Sequence, residues 1–150
     1  MFSKPNAGWS TVNIEGFKGY ASYIQPFVCE TLSAITQHLV SGSSQCVNYD
    51  EEGSDFTIVF TSQQQIYLIT SREYLNITAL NITPFDLAKE IVKDFETYKS
   101  EWDDFVCLQQ GCGEDISDIE KECYLDNFNE LLEYLKYIIN KEEEKNEKHK

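Results

Sequence analysis

With 150 residues, 41% of them hydrophobic and 13% aromatic, the chain is long enough to bury about two-thirds of its unfolded surface in one domain and too apolar for a disordered one. The formal charge is −14, and because the last ten residues balance Lys against Glu, the whole excess lies in residues 1–140. Such a surface repels nucleic acid and anionic membrane and attracts cationic partners through steering that salt weakens.

In chain order, Trp9–Ile14 and Phe17–Ile24 are short aromatic and β-branched runs separated by Glu15-Gly16, a hairpin signal. Gln25-Pro26 opens a helix in which Val28, Leu32, Ile35 and Leu39 recur at helical spacing before Gly42, a residue suited to a left-handed cap. Three strands follow at Cys46–Tyr49, Phe56–Phe60 and Ile66–Thr70, with a weaker fourth at Ile77–Ile82. In the middle one Phe56, Ile58 and Phe60 share one face and Thr57 and Val59 the other.

Thr83-Pro84-Phe85-Asp86 starts a second helix, whose stripe of Ala88, Ile91, Phe95, Tyr98, Trp102 and Phe105 predicts one long element ending before Gln109–Asp115. A capping box at Ser117–Glu120 starts the last helix, with Phe128, Leu131, Leu132, Leu135, Ile138 and Ile139 on its apolar face. From Lys141 the apolar face is gone. The expected organisation is one domain over residues 1–140 and a solvated, disordered tail over 141–150. The order β-β-α-β-β-β-β-α-α predicts an α+β fold, with a mainly antiparallel sheet of about four to six strands and helices on one face.

No apolar run approaches the roughly 18 residues of a membrane span, and Met1–Gly8 has no signal-peptide core, so the expected compartment is the cytosol. The cysteines, Cys29, Cys46, Cys107, Cys112 and Cys123, agree with it: they are odd in number and include no C-x-x-C. Cys107, Cys112 and Cys123 lack a nearby fourth zinc ligand, which argues against a metal site. A redox pair between Cys107 and Cys112 stays open, with reduced thiols the default. Two Asn-x-Thr sequons, at Asn76 and Asn81, read as ordinary strand composition.

The candidate sites are acidic. Asp50, Glu51, Glu52 and Asp55 crowd one hairpin tip, which reads either as a hydrophilic turn or as half of a docking patch. Glu101, Asp103 and Asp104 surround Trp102 near the end of the expected second helix, where carboxylates oppose the helix dipole and point to binding. Glu114, Asp115, Asp118 and Glu120 gather at a helix start, where the dipole favours them and no function need be invoked. Tyr49, Trp102 and Tyr124 are candidate aromatic anchors, each alternatively a core residue. His38, near a helix C-terminus, suits a structural imidazole. With no nucleophile elbow, phosphate loop or zinc-protease motif, neither an enzyme nor a cofactor is expected.

A small, acidic α+β chain carrying the Asp50–Thr57 turn and strand and the Phe85–Trp102 helix resembles, as a type, the immunity proteins that bacteria encode beside polymorphic and contact-dependent toxins. The resemblance implies tight neutralisation of a cognate toxin domain, such as a basic nuclease, by covering its active site or an adjoining surface. The alternatives are an intracellular adaptor or regulatory module for a basic protein or peptide and, third, a small carboxylate-based enzyme. The first predicts one partner held at nanomolar affinity or better, the second promiscuous micromolar binding.

Overall fold

A computed structural model describes residues 1–110 and 116–148, with only the backbone described at Gln109 and Gln110. The fold is α+β, as the order of signals implies. A hairpin of β1 (Trp9–Ile14) and β2 (Phe17–Ser22) precedes helix α1 (Phe27–Ser41). Strands β3 (Gln45–Asp50), β4 (Asp55–Phe60), β5 (Ile66–Thr70) and β6 (Asn76–Leu80) form a second antiparallel sheet in sequential order. Helices α2 (Pro84–Thr97), α3 (Lys99–Gln110) and α4 (Asp118–Lys148) complete it.

Local chemistry places the boundaries. Glu15 and Gly16 have φ of 45° and 85°, the left-handed pair that a two-residue hairpin turn with the strands' own twist requires. Gly42 ends α1 at φ 67°, its N–H returning to the His38 carbonyl. Thr83 caps α2 by accepting the Asp86 N–H. Ser117 and Glu120 exchange hydrogen bonds at the start of α4, the Ser117 N–H reaching the Glu120 carboxylate at 2.9 Å.

Two expectations are corrected. The stripe expected to lie on one long helix is divided at Tyr98, where φ −122° and ψ 43° interrupt the helix. Neither Pro nor Gly marks the break. Thr97 Oγ1 donates instead to the Lys93 carbonyl one turn back, a bond that competes with the helical ladder and bends it. The second correction concerns the tail: α4 runs on through Lys148, and Lys89 of α2 reaches Glu143 at 2.6 Å.

The inner face of the four-stranded sheet carries Val47, Tyr49, Phe56, Ile58, Phe60, Ile66 and Leu68, all buried. Helix α1 lies on this face, with the Phe27 ring 5.7 Å from Tyr49 and the His38 ring stacked on Phe60. The β1–β2 hairpin covers the remainder. Phe17 meets Phe56 edge-on at 4.9 Å, and a Cβ on Gly19 would stand 2.6 Å from the Phe56 ring, so only glycine permits the approach. Behind these, α4 packs on the other three helices through Phe128, Leu132, Leu135 and Ile139. Phe2 enters the centre of the core, stacked on Phe95, while its N–H donates to Asp94 at 2.7 Å.

The tip of the first hairpin is tied to the end of β6. Both carboxylate oxygens of Glu15 accept backbone N–H groups, from Asn81 at 2.9 Å and Ile82 at 2.6 Å. Glu15→Ala should leave the core intact but speed hydrogen exchange at Asn81 and Ile82 by roughly tenfold. Unchanged exchange at both amides would show that the tie contributes nothing.

Candidate functional site

The acidic turn between β3 and β4 is largely occupied by the fold. Glu51, with a side chain only 5% exposed, receives Nε and Nη2 of Arg72 at 2.9 and 2.5 Å, together with the Tyr20 N–H and the Ser54 hydroxyl. Arg72 also donates to the Lys18 carbonyl, so this ion pair joins the two sheets. Burial pushes the Glu51 carboxyl up, but the Arg72, Ser54 and Tyr20 hydrogen bonds together hold it below its ordinary value. Glu52 accepts the Ser22 hydroxyl at 2.5 Å, Asp50 accepts the Glu52 N–H at 2.6 Å, and Asp55 accepts the Ser71 hydroxyl.

On α3 the helix break changes the electrostatic reading. Glu101 lies in the first turn of a new helix, where the dipole favours a carboxylate, instead of near the end of a long one, where it would be a misfit. It pairs with Lys4 at 2.5 Å, and Lys4 together with nearby hydrogen bonds lowers its pKa. Asp103 pairs with Lys99 one turn back. Asp104 is exposed beside Pro5–Gly8 in a shallow groove. Glu52 and Glu101 both border the open end of the β1–β2 hairpin, through Ser22 and Lys4, while Asp50 and Asp55 stand on the far side of the sheet.

Two of the three candidate aromatic anchors are corrected. Trp102 is 0% exposed, packed edge-on against Phe95 and Phe105, and its indole N–H finds no acceptor among the described residues. Tyr49 is 1% exposed, stacked on Phe56 at 4.7 Å, with its hydroxyl 2.9 Å from that of Thr31. Burial pushes its phenol well above the ordinary value despite the Thr31 bond. Neither ring can touch a partner. Their places on a strand and on a helical stripe are those of core residues, the alternative that each position carried. Tyr124 is half-buried, lying partly against the core.

What the acidic motifs obscured is the sheet's outer face. Its register is a consequence of the pairings: Cys46, Val59, Tyr67 and Ala79 form one row across the four strands, and Asn48, Thr57, Ile69 and Ile77 the next. The helices and first hairpin pack on the other side. An antiparallel sheet with one solvated face ordinarily turns polar side chains outward. Here Val59, Tyr67 and Ile69 are only half-buried, and Ile77 is 58% exposed. The only charged strand residues on this face are Asp50 and Asp55, directly opposite one another at its end. Like charges in that arrangement cost stability, and among the described residues neither has a Lys or Arg within ion-pair distance. The signal available in sequence was the alternation that puts Tyr67 and Ile69 on one face of β5, joined across the strand pair by Ile77.

An open groove of about 760 Å³ runs between α1, β3 and α4, where amide side chains mix with Pro26, Ala34, Val47 and Leu131 beside Cys29, Cys46 and Glu30. Burial pushes the Cys29 thiol up to about 11 against a lowering bond from Asn127, so it is a thiol, not a nucleophilic thiolate, at neutral pH. His38 is buried with Nδ1 2.8 Å from the Ser43 carbonyl. Among the described residues no three His, Cys, Asp or Glu side chains are grouped to hold a metal ion, and no helix is long and apolar enough to cross a membrane. Cys112, and with it the possible Cys107 pair, lies outside the described residues, as do Glu114, Asp115 and His149.

No family model matches the chain, and no curated protein or solved structure is significantly similar to it.

Proposed function

We propose that this is a small acidic binding protein that neutralises a cationic protein partner by covering its functional surface, in the manner of the bacterial immunity proteins it resembles. The observation that carries the reading is the outer sheet face: an uncharged centre of Val59, Tyr67, Ile69 and Ile77, with Asp50 and Asp55 opposed at one end. An apolar centre with charge at its margin is the anatomy of a specific interface. The net charge of −14 supplies long-range attraction for a basic partner, and a Lys or Arg placed between Asp50 and Asp55 would relieve their repulsion. The anchoring side chains are then Tyr67, Ile69 and Ile77, not Tyr49 or Trp102. The cytosol is the proposed compartment, since Cys46 and Cys123 are exposed thiols that a reducing environment keeps unpaired.

The test is retention of proteins from the native host on the immobilised chain at low and high salt. One basic protein should be held at both, with Asp50→Asn/Asp55→Asn slowing association by about tenfold at low salt and by less at high salt. Recovery of many weakly held basic proteins that salt removes would indicate the adaptor instead, and recovery of none would overturn the proposal.

A further inference from the structure

We infer that β6 is a docking strand, to which the partner adds an extended segment with an uncharged centre and Lys or Arg at its ends. The inference rests on the proposed binding of a cationic protein and specifies how that partner is gripped. The four-stranded sheet has two edges, β3 and β6, and they are treated oppositely. On β3 the Gln25 side-chain amide does the work of a neighbouring strand: its Nε2 donates to the Asn48 carbonyl at 2.9 Å, and its Oε1 accepts the Asp50 N–H at 3.1 Å. On β6 nothing comparable is present among the described residues.

The direction of the β6 backbone groups follows from hydrogen-bond alternation across the sheet. The Glu51 N–H bonds the Ser54 carbonyl and the Thr61 N–H bonds the Gln65 carbonyl, which fixes which pairs on each side of β4 are hydrogen-bonded. Carried through β5, the alternation gives Leu68 to Thr78 and Thr70 to Asn76 as bonded pairs. The N–H and C=O of both Ile77 and Ala79 therefore point away from the sheet. Natural edge strands are ordinarily guarded by a charge, a proline or a bulge. Asn76-Ile77-Thr78-Ala79-Leu80 contains none, and its first four residues are exposed. Beside it Tyr74 is 83% and Leu75 72% exposed, which adds apolar surface next to the open strand.

Charge selects the occupant. Exposed carboxylates flank the open strand, Glu73 before it and Glu15 and Asp86 beyond its other end, whereas the one nearby guanidinium, Arg72, is held by Glu51. A segment with basic ends and an apolar middle complements that pattern. A second copy does not: it brings another −14, and five residues of self-paired strand, about 17 Å long, fall well short of the roughly 1,000 Å² of a specific interface.

The decisive variant is Ile77→Pro. Because the Ile77 N–H faces solvent, proline removes no bond to β5, yet it deletes the outward donor and blocks strand addition. Its circular dichroism and melting profile should match the wild type. The probe is the peptide acetyl-Lys-Val-Thr-Ile-Thr-Val-Lys-amide, followed by amide chemical shifts with and without salt. Shifts should centre on Ile77 and Ala79, weaken about fivefold when the terminal Lys residues are replaced by Glu at low salt, and vanish in Ile77→Pro. Should that variant misfold, Ile77→Lys, which keeps the donor but repels a basic segment, gives the same comparison. No shifts, shifts centred elsewhere, or equal binding by the variant would overturn the inference, as would a concentration-dependent dimer that Ile77→Pro abolishes. A basic host protein retained equally by wild type and variant would sink strand docking while leaving the neutralising function standing. Peptide binding at β6 with no host protein retained would do the reverse.

Discussion

Trp102→Ala should destabilise the whole fold, not merely weaken its binding. The indole is enclosed by Phe2, Phe27, Phe95 and Phe105, so truncation removes a large aromatic surface and leaves a cavity that four rings cannot all close, at a cost of about 3–5 kcal/mol. Against a typical total of about 5–15 kcal/mol, that is a large fraction. Trp102→Phe should be far milder, because it also removes a buried N–H with no acceptor among the described residues, a group whose desolvation already counts against the native state. Chemical denaturation of both variants decides it. Equal stability of wild type and Trp102→Ala would return Trp102 to the surface as a contact residue.

Glu51→Gln should lower stability by about 2 kcal/mol near neutral pH, reducing the melting temperature by roughly 4–8 °C. The Glu51 side chain is almost wholly enclosed, but that of Arg72 is 42% exposed, which keeps the cost below that of breaking a fully buried pair. Its pH dependence carries a definite sign. Glu51 has a folded pKa below its ordinary 4.5, so the unfolded chain binds the proton more readily; the contribution is complete above about 4.5 and disappears as pH falls through the folded value. Wild type and Glu51→Gln should therefore converge in stability under acid. A gap that persists unchanged there would assign the loss to packing instead of charge.

Most of the fold was legible because local rules and the global packing agree. Gly16, Gly42, Thr83 and Ser117 mark ends of elements by backbone and capping chemistry that depends little on the rest of the chain. The division of α2 from α3 was not legible: Thr97 bonding back to Lys93 is one of two conformations open to any threonine in a helix, and only tertiary packing selects it. That single bend reversed the meaning of Glu101. The candidate site was less readable still. Composition locates the acidic residues but not their partners, and Glu51 meets Arg72 only because the pairing of β3, β4 and β5 brings the turn after β3 beside the chain after β5. Exposure of the outer face depends on which side the helices choose, a property of the assembled layers.

The Gln25 amide on the β3 edge has a consequence for stoichiometry. A sheet with two vacant margins can be lengthened indefinitely, each newcomer exposing another template, which is the route to fibres. With one margin stoppered by a single side chain, growth can proceed from the opposite margin only, and a guest whose own far side is closed ends it after one step. Under the docking inferred at β6, each molecule would therefore take a single guest.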